Sequence, residues 1–217
     1  MRFADRHDAG RRLARLLAHL APERPIVVGI PRGGVAVAAE VARGLGAPLD
    51  IVVARKVGAP TNPEYGIGAV AEGGARVISE QAVRRLRIGP RELDALVAHA
   101  QGELEQLSGR LRTGRVALPV RGRTAILVDD GLATGRTARA AALSLRLRGA
   151  ARVILAVPVA AAGSVAEITD SVEEVVCDQM PTDLWAIGLW YESFPPTSEQ
   201  EVAALLEELG EAPNLSG

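Results

Sequence analysis

From Ile126 to Thr137 the chain reads Ile-Leu-Val-Asp-Asp-Gly-Leu-Ala-Thr-Gly-Arg-Thr: an apolar run, two adjacent acids, a short turn, then a Thr-Gly-x-Thr step that opens a helix. The apolar run predicts a buried strand. Ligands of open α/β sheets collect beyond the carboxyl ends of such strands, where Asp129 and Asp130 emerge. Backbone N–H groups and hydroxyls from Thr134 through Gly135 and Arg136 to Thr137 can hold a phosphate at a helix N-terminus, and Gly135 permits its close approach. Two carboxylates beside a phosphate are unfavourable unless they accept hydrogen bonds from sugar hydroxyls or help to organise a cation. The combination points to a sugar phosphate. A lone Asp-Asp or Thr-Gly is more often an ordinary strand end before a capped helix; here the whole string is present.

The segment resembles the signature of the type I phosphoribosyltransferases, a hydrophobic run followed by two acids and a Thr-Gly-x-Thr phosphate loop. The resemblance implies transfer of the 5-phosphoribosyl group of 5-phosphoribosyl-1-pyrophosphate (PRPP) to a nitrogenous, planar acceptor, with Mg²⁺ as cofactor and pyrophosphate as the leaving group. It assigns the ribose hydroxyls to Asp129 and Asp130, which would meet the metal indirectly or through PRPP. It assigns the 5′-phosphate to Thr134 to Thr137, with Gly131 and Ala133 completing the PRPP loop. In the family's order, Pro31-Arg32-Gly33-Gly34 resembles the pyrophosphate loop, whose equivalent peptide at Pro31-Arg32 is often cis. Arg55-Lys56, at the head of a Gly/Pro/Asn-rich stretch, resembles the mobile catalytic loop; a plain surface connection is the alternative.

Three details refine these expectations. Of the 25 basic residues 24 are arginine, so Lys56, the only lysine, is expected to act on the transferring group where a compact ammonium is needed. The residue before the phosphate loop is Ala133, where family members acting on 6-oxopurines carry an acid, so the implied acceptor is not a 6-oxopurine. Glu72 and Glu64 are the remaining carboxylates that could approach an acceptor, Glu72 being grouped with Arg55 and Lys56 as catalytic. Trp185, Trp190, Tyr191 and Phe194 fall within ten residues, where the family builds its hood over the base. Core packing would explain one or two rings; four point to a surface for stacking a planar acceptor, with Trp185, Trp190 and Tyr191 as its candidates.

The elements that must position these residues follow from periodicity. Leu13, Leu16, Leu17 and Leu20 predict a helix, Ile26 to Ile30 a strand, Val35 to Leu45 a helix and Leu49 to Ala54 a buried strand. A long loop is expected over Arg55 to Gly68, with strands at Ile67 to Ala71 and Ala75 to Ile78. A charged, helical stretch from about 79 to 115 reads as an inserted helical arm. Strands at Thr124 to Val128, Val153 to Val157 and Glu174 to Cys177 alternate with helices at Arg136 to Arg148 and near Val165. Fully apolar strands alternating with helices indicate an α/β fold: an open, mainly parallel sheet with helices on both faces. The 217 residues are read as one domain, with a small C-terminal hood over about 178–196, the N-terminal helix as a further contributor to it, and a polar tail after Gly210.

A formal net charge of −1 supplies no field for a phosphate polymer or an anionic membrane, so neither nucleic acid nor membrane is expected as a partner. One cysteine, Cys177, and three scattered histidines assemble neither a disulfide framework nor a Cys/His zinc site, which favours the cytoplasm. No run approaches the length of a membrane span. The resemblance adds a homodimer as the expected assembly. The reading from another class is a regulator that senses PRPP or a nucleotide on the same fold without catalysis; the absence of a helix-turn-helix module or basic arm argues against it.

Overall fold

The computed structural model describes residues 2–112 and 114–210. In chain order the body consists of α1 (Arg6–Leu16), β1 (Ile26–Gly29), α2 (Gly33–Leu45), β2 (Leu49–Ile51), β3 (Ala54–Ala59), β4 (Asn62–Ala71), β5 (Ala75–Ile78), α3 (Glu80–Leu86), α4 (Pro90–Arg112), β6 (Thr124–Val128), α5 (Arg136–Leu147), β7 (Arg152–Val159), α6 (Ala162–Ile168), β8 (Glu174–Gln179) and α7 (Glu199–Leu209), with a short 3₁₀ turn over Ala18–Glu23. Five strands form a sheet in the order β2-β1-β6-β7-β8, and every pairing in it is parallel. Because strand side chains alternate, one set of residues, Val27, Ile126, Val128, Ile154 and Ala156, packs under α1, α2, α4 and α7. The other set, Ile26, Val28, Leu127, Leu155 and Val157, packs under α5, α6 and the small second sheet. The expected parallel sheet covered on both faces is present.

The second sheet corrects one expectation. The stretch read as a long loop is an antiparallel hairpin: β3 pairs with β4, and β4 with β5. Its glycines are there for approach and not for flexibility. A Cβ on Gly58 would lie 2.5 Å from the Pro63 carbonyl, and one on Gly68 2.5 Å from that of Val77. Pro63 is tolerated beside the tip, where the register shifts.

The helical stretch after β5 is likewise less of an arm than expected. The inner face of α4, Ala100, Leu104, Leu107 and Leu111, is buried against β3, β4 and α7, making a layer of the body. Helix α7 adds to the expected elements. Ser198 caps it by accepting the Glu201 N–H, and Val202, Leu205, Leu206 and Leu209 recur at helical spacing. The polar tail from residue 211 lies outside the described residues. No described helix is long and apolar enough to cross a membrane.

A buried ion network fastens α4 and the hairpin to the edge of the main sheet. Arg112, at the end of α4, reaches Asp50 of β2 at 2.9 Å, the Ile51 carbonyl at 2.8 Å, and both oxygens of Glu72 at 3.2 and 3.1 Å. Asp50 also accepts the Leu118 N–H at 2.9 Å, and Glu72 accepts Ser108 Oγ–H and the Val53 N–H. Burial alone would raise the Glu72 carboxyl, but the hydrogen bonds and charge of Arg112, aided by Ser108, hold it below the ordinary range. Removing one partner of such a buried group leaves an uncompensated charge.

Arg112→Met should therefore destabilise the fold by about 3–5 kcal/mol in urea denaturation at pH 7. Since the folded pKa of Glu72 is the lower one, its contribution is complete above the ordinary value of 4.5 and is lost as pH falls through the lowered folded value. Glu72→Gln should flatten the loss of stability measured below that point.

Candidate active site

Two loops meet at the carboxyl ends of the adjacent strands β1 and β6. Ile30 donates its N–H to the Val128 carbonyl at 2.8 Å, continuing the sheet one step before the chains part. A Cβ on Gly34 would stand 2.8 Å from both Asp129 Cα and the Val128 oxygen, and one on Gly33 would overlap the Asp130 carboxylate. Only glycine lets the Pro31–Gly34 loop lie against the acid pair. The Pro31-Arg32 peptide is cis, as expected. Beyond the acids, Leu132 exchanges backbone hydrogen bonds with the end of β7, donating to Val159 at 2.8 Å and accepting from Ala161 at 3.1 Å. Ser164 Oγ donates to the Ala133 carbonyl. Gly135, at φ +69°, turns the chain into α5, so the N–H groups that follow stand at a helix N-terminus.

The acids are largely enclosed. Asp129 Oδ1 accepts the Asp130 N–H at 2.9 Å; burial and the neighbouring Asp130 charge push the Asp129 carboxyl well above its usual range. Burial also raises Asp130, against the pull of Arg6. Arg6, from the first turn of α1, places Nε and Nη2 on Asp130 Oδ2 at 2.9 and 2.8 Å. Its Nη1 donates to the Pro195 carbonyl at 2.6 Å, and its guanidinium lies 3.7 Å from the centre of the Phe194 ring. No local signal marks Arg6 among 24 arginines; only the fold brings it to a carboxylate more than a hundred positions away.

Arg6, Arg32, Arg55 and Arg110, with Pro31 and Gly33, line a cavity of about 390 Å³ whose one acid, Glu199, is paired with Arg110 at 3.0 Å. Arg55 Nε is buried there without a hydrogen-bond partner. The strand geometry of β3 sends successive side chains to opposite faces, and Lys56 does not join the cavity: its Nζ is held across the hairpin by Glu64, at 2.9 Å to the carboxylate and 3.2 Å to the carbonyl. Glu72, spent on Arg112, is likewise no acceptor-facing acid. A second cavity of about 330 Å³ borders Thr134, Gly135, Arg136 and Arg139, and faces β5. A larger one, about 430 Å³, lies along α4 at Ser108 and Arg112 and shares no residue with either. Among the described residues no three acids, histidines or cysteines converge as a metal cluster.

The hood sits directly on the acid turn: a Cβ on Gly131 would lie 2.6 Å from Ile187. Phe3 forms a parallel bridge with Tyr191, and its ring lies 5.3 Å from that of Tyr191, which in turn lies 4.7 Å from Phe194. This joins the N-terminal segment to the segment around Tyr191. Tyr191 is 4% exposed and donates its hydroxyl to the Asp130 carbonyl at 2.7 Å. A ring so packed cannot stack on an acceptor, so Tyr191 leaves that list. Trp190 is partly buried in the same cluster, whereas Trp185 is 88% exposed.

An all-parallel sheet with an acid pair, a phosphate-type loop and a glycine loop at the ends of β1 and β6 is the architecture of the type I phosphoribosyltransferases. The chain belongs to this family: the phosphoribosyl transferase domain model matches residues 4–193. A Mycobacterium tuberculosis protein named provisionally as a phosphoribosyl transferase is 45% identical over 205 residues, which are 94% of this chain and 46% of that protein. The chain thus spans about half the length of the curated relatives it matches. The Thermus thermophilus protein TT1426 has a crystal structure that superposes with a TM-score of 0.82 at 42% identity, covering 97% of this chain and all of that one. A Neisseria gonorrhoeae protein solved with ppGpp shares the fold at a TM-score of 0.51 and 14% identity, over 96% of this chain and 98% of that one.

The two loop glycines should separate on substitution. Gly34→Ala meets backbone and should lower stability by about 1–3 kcal/mol. Gly33→Ala meets the Asp130 and Arg6 side chains and no backbone, so it should change the melting temperature less than Gly34→Ala does in the same thermal scan.

Proposed function

We propose that the chain transfers the 5-phosphoribosyl group of PRPP to a nitrogenous acceptor, releasing pyrophosphate. The observation that carries this reading is the contact of the Gly33-Gly34 loop with Asp129-Asp130, which sets an arginine-lined cavity beside an acid pair and a phosphate-type loop. In this reading Thr134 to Thr137 bind the 5′-phosphate, Asp129 and Asp130 the ribose hydroxyls, and the Pro31–Gly34 backbone with Arg32 and Arg55 the pyrophosphate. A bond from the acceptor nitrogen forms at the anomeric carbon as the carbon–oxygen bond to pyrophosphate breaks, the electron pair leaving with pyrophosphate. Positive charge develops on the sugar and negative charge on the leaving group. Fixed guanidinium groups facing the latter stabilise the transition state more than the ground state.

The donor set suits Mg²⁺ held jointly with substrate: one or two carboxylates, Asp129 and Asp130, and no complete protein cage, as this ion prefers when phosphates and water fill the remaining positions. When bound it supplies charge neutralisation at the pyrophosphate. The acceptor in this reading is a planar ring under the hood, with Trp185 free to stack on it. Ala133 offers no acid to a 6-oxopurine. Burial pushes the Cys177 thiol up to about 11. A cytoplasmic placement rests on the sequence having one cysteine and therefore no disulfide framework within the chain. A homodimer rests on the family resemblance alone. The position of Lys56, away from the cavity, favours as a second reading a PRPP sensor that does not turn over. Pyrophosphate release across a panel of nitrogenous bases separates the two.

Replacing Asp129 and Asp130 together with Asn should abolish Mg²⁺-dependent PRPP binding in calorimetry while circular dichroism stays native; unchanged affinity would sink the assignment. Arg55→Gln should lower kcat/KM about 100-fold, as expected for a contact worth about 3 kcal/mol in the transition state. Lys56→Gln should change it only a few-fold if the hairpin keeps the geometry described, and a loss as large as that of Arg55→Gln would show that Lys56 reaches the reacting groups.

A further inference from the structure

We infer that Arg6 is an exchange residue: it is the counter-ion of Asp130 while the cleft is free, and a ligand of the diphosphate once that group enters. The inference rests on reading the cleft as a PRPP site and assigns to α1 a role in it.

Three observations support exchange over a permanent structural pair. First, both Arg6 contacts fall on one oxygen, Oδ2, and that is the oxygen a Cβ on Gly33 would strike, so it is the one turned towards the pyrophosphate loop. A ribose hydroxyl seeking the cleft side of Asp130 meets an oxygen that already accepts two N–H groups. Second, Arg6 is at once the partner of Asp130 and part of the wall of the arginine cavity, where the unpartnered Arg55 Nε also awaits an acceptor. A diphosphate carries more negative charge and more oxygens than one carboxylate, and the planar guanidinium matches phosphate oxygens in pairs. Third, the guanidinium lies on the flat face of Phe194, which attracts the cation wherever it stands over the ring. A guanidinium that turns from Oδ2 into the cavity it already lines keeps that attraction for as long as it stays over the ring.

Arg6 thereby links two halves of one substrate. A diphosphate draws Arg6 away and frees Asp130 Oδ2 for the ribose, so each half should favour the other. Two anions sharing a cleft would otherwise repel, so direct electrostatics predicts the opposite sign.

Titration calorimetry of the unaltered protein, at constant free Mg²⁺, tests the idea with ribose 5-phosphate and inorganic pyrophosphate as separate probes. Saturating pyrophosphate should tighten ribose 5-phosphate binding about fivefold or more. In Arg6→Gln, ribose 5-phosphate should bind at least as tightly as in the parent without pyrophosphate, the coupling should vanish, and PRPP affinity should fall about tenfold or more, since one charge-assisted contact is lost. Zero or negative coupling in the unaltered protein, or coupling that persists in Arg6→Gln, overturns the exchange while leaving the PRPP site in place. Weaker ribose 5-phosphate binding in a folded Arg6→Gln overturns it too, showing a merely structural pair. If the unaltered protein binds neither PRPP nor ribose 5-phosphate, the reading of the cleft fails instead, and the exchange with it. Should Arg6→Gln not fold, the coupling measured without any substitution still decides.

Discussion

The close approach of two loops governs the chemistry of this molecule. Strands β1 and β6 run side by side, and a side chain at Gly34 would meet the backbone of the other loop, while one at Gly33 would displace the Asp130 carboxylate. Because neither residue carries one, the loop after β1 lies against Asp129 and Asp130, and anionic and cationic surfaces come within reach of one ligand. Gly33 and Arg6, which line the arginine cavity, also touch Asp130. The same constraint explains why the acids are so enclosed and why their carboxyls are raised by burial: the glycine loop removes water that would otherwise solvate them.

Around this contact the N-terminal segment and the hood form a second layer. Arg6 grips the Asp130 side chain and Tyr191 its carbonyl, while Phe3, Tyr191 and Phe194 pack together above them. One acid is therefore held at both its side chain and its backbone by two segments from opposite ends of the sequence. Burial, followed by the charge of Asp130, raises the Tyr191 hydroxyl, which keeps it a neutral donor. The segment around Tyr191 is thus part of what fixes the acid turn in place.

What was legible in the sequence was local. Strand, acid pair and phosphate turn occupy twelve consecutive positions, and the parallel sheet follows from the alternation of apolar runs with helices. Misreadings arose where a residue's meaning depends on a distant partner. Gly58 and Gly68 read as loop glycines, yet each is small because another strand's carbonyl lies against it. Glu72 read as a free carboxylate until α4 delivered Arg112 to it. Arg6 resembled any other arginine, and Tyr191 looked like one ring in a cluster when its depth assigns it to the core. Lys56 stood out by composition and by its place in a segment resembling the catalytic loop, and neither says to which side of a strand a residue points.

The order of strands in the main sheet bears on how the protein comes to be assembled. Ile26 of β1 pairs with Ala125 of β6, roughly a hundred residues later. Between them the chain makes the antiparallel hairpin and the long helix α4, whose contacts are closer in sequence. Closing a long loop before any pairing rewards it is slow, so the hairpin and α4 are placed to condense early and the β1–β6 seam late. The glycine loop and the acid turn both hang from that seam. A chain that has made only the hairpin and α4 therefore still lacks the contact between the glycine loop and the acid turn.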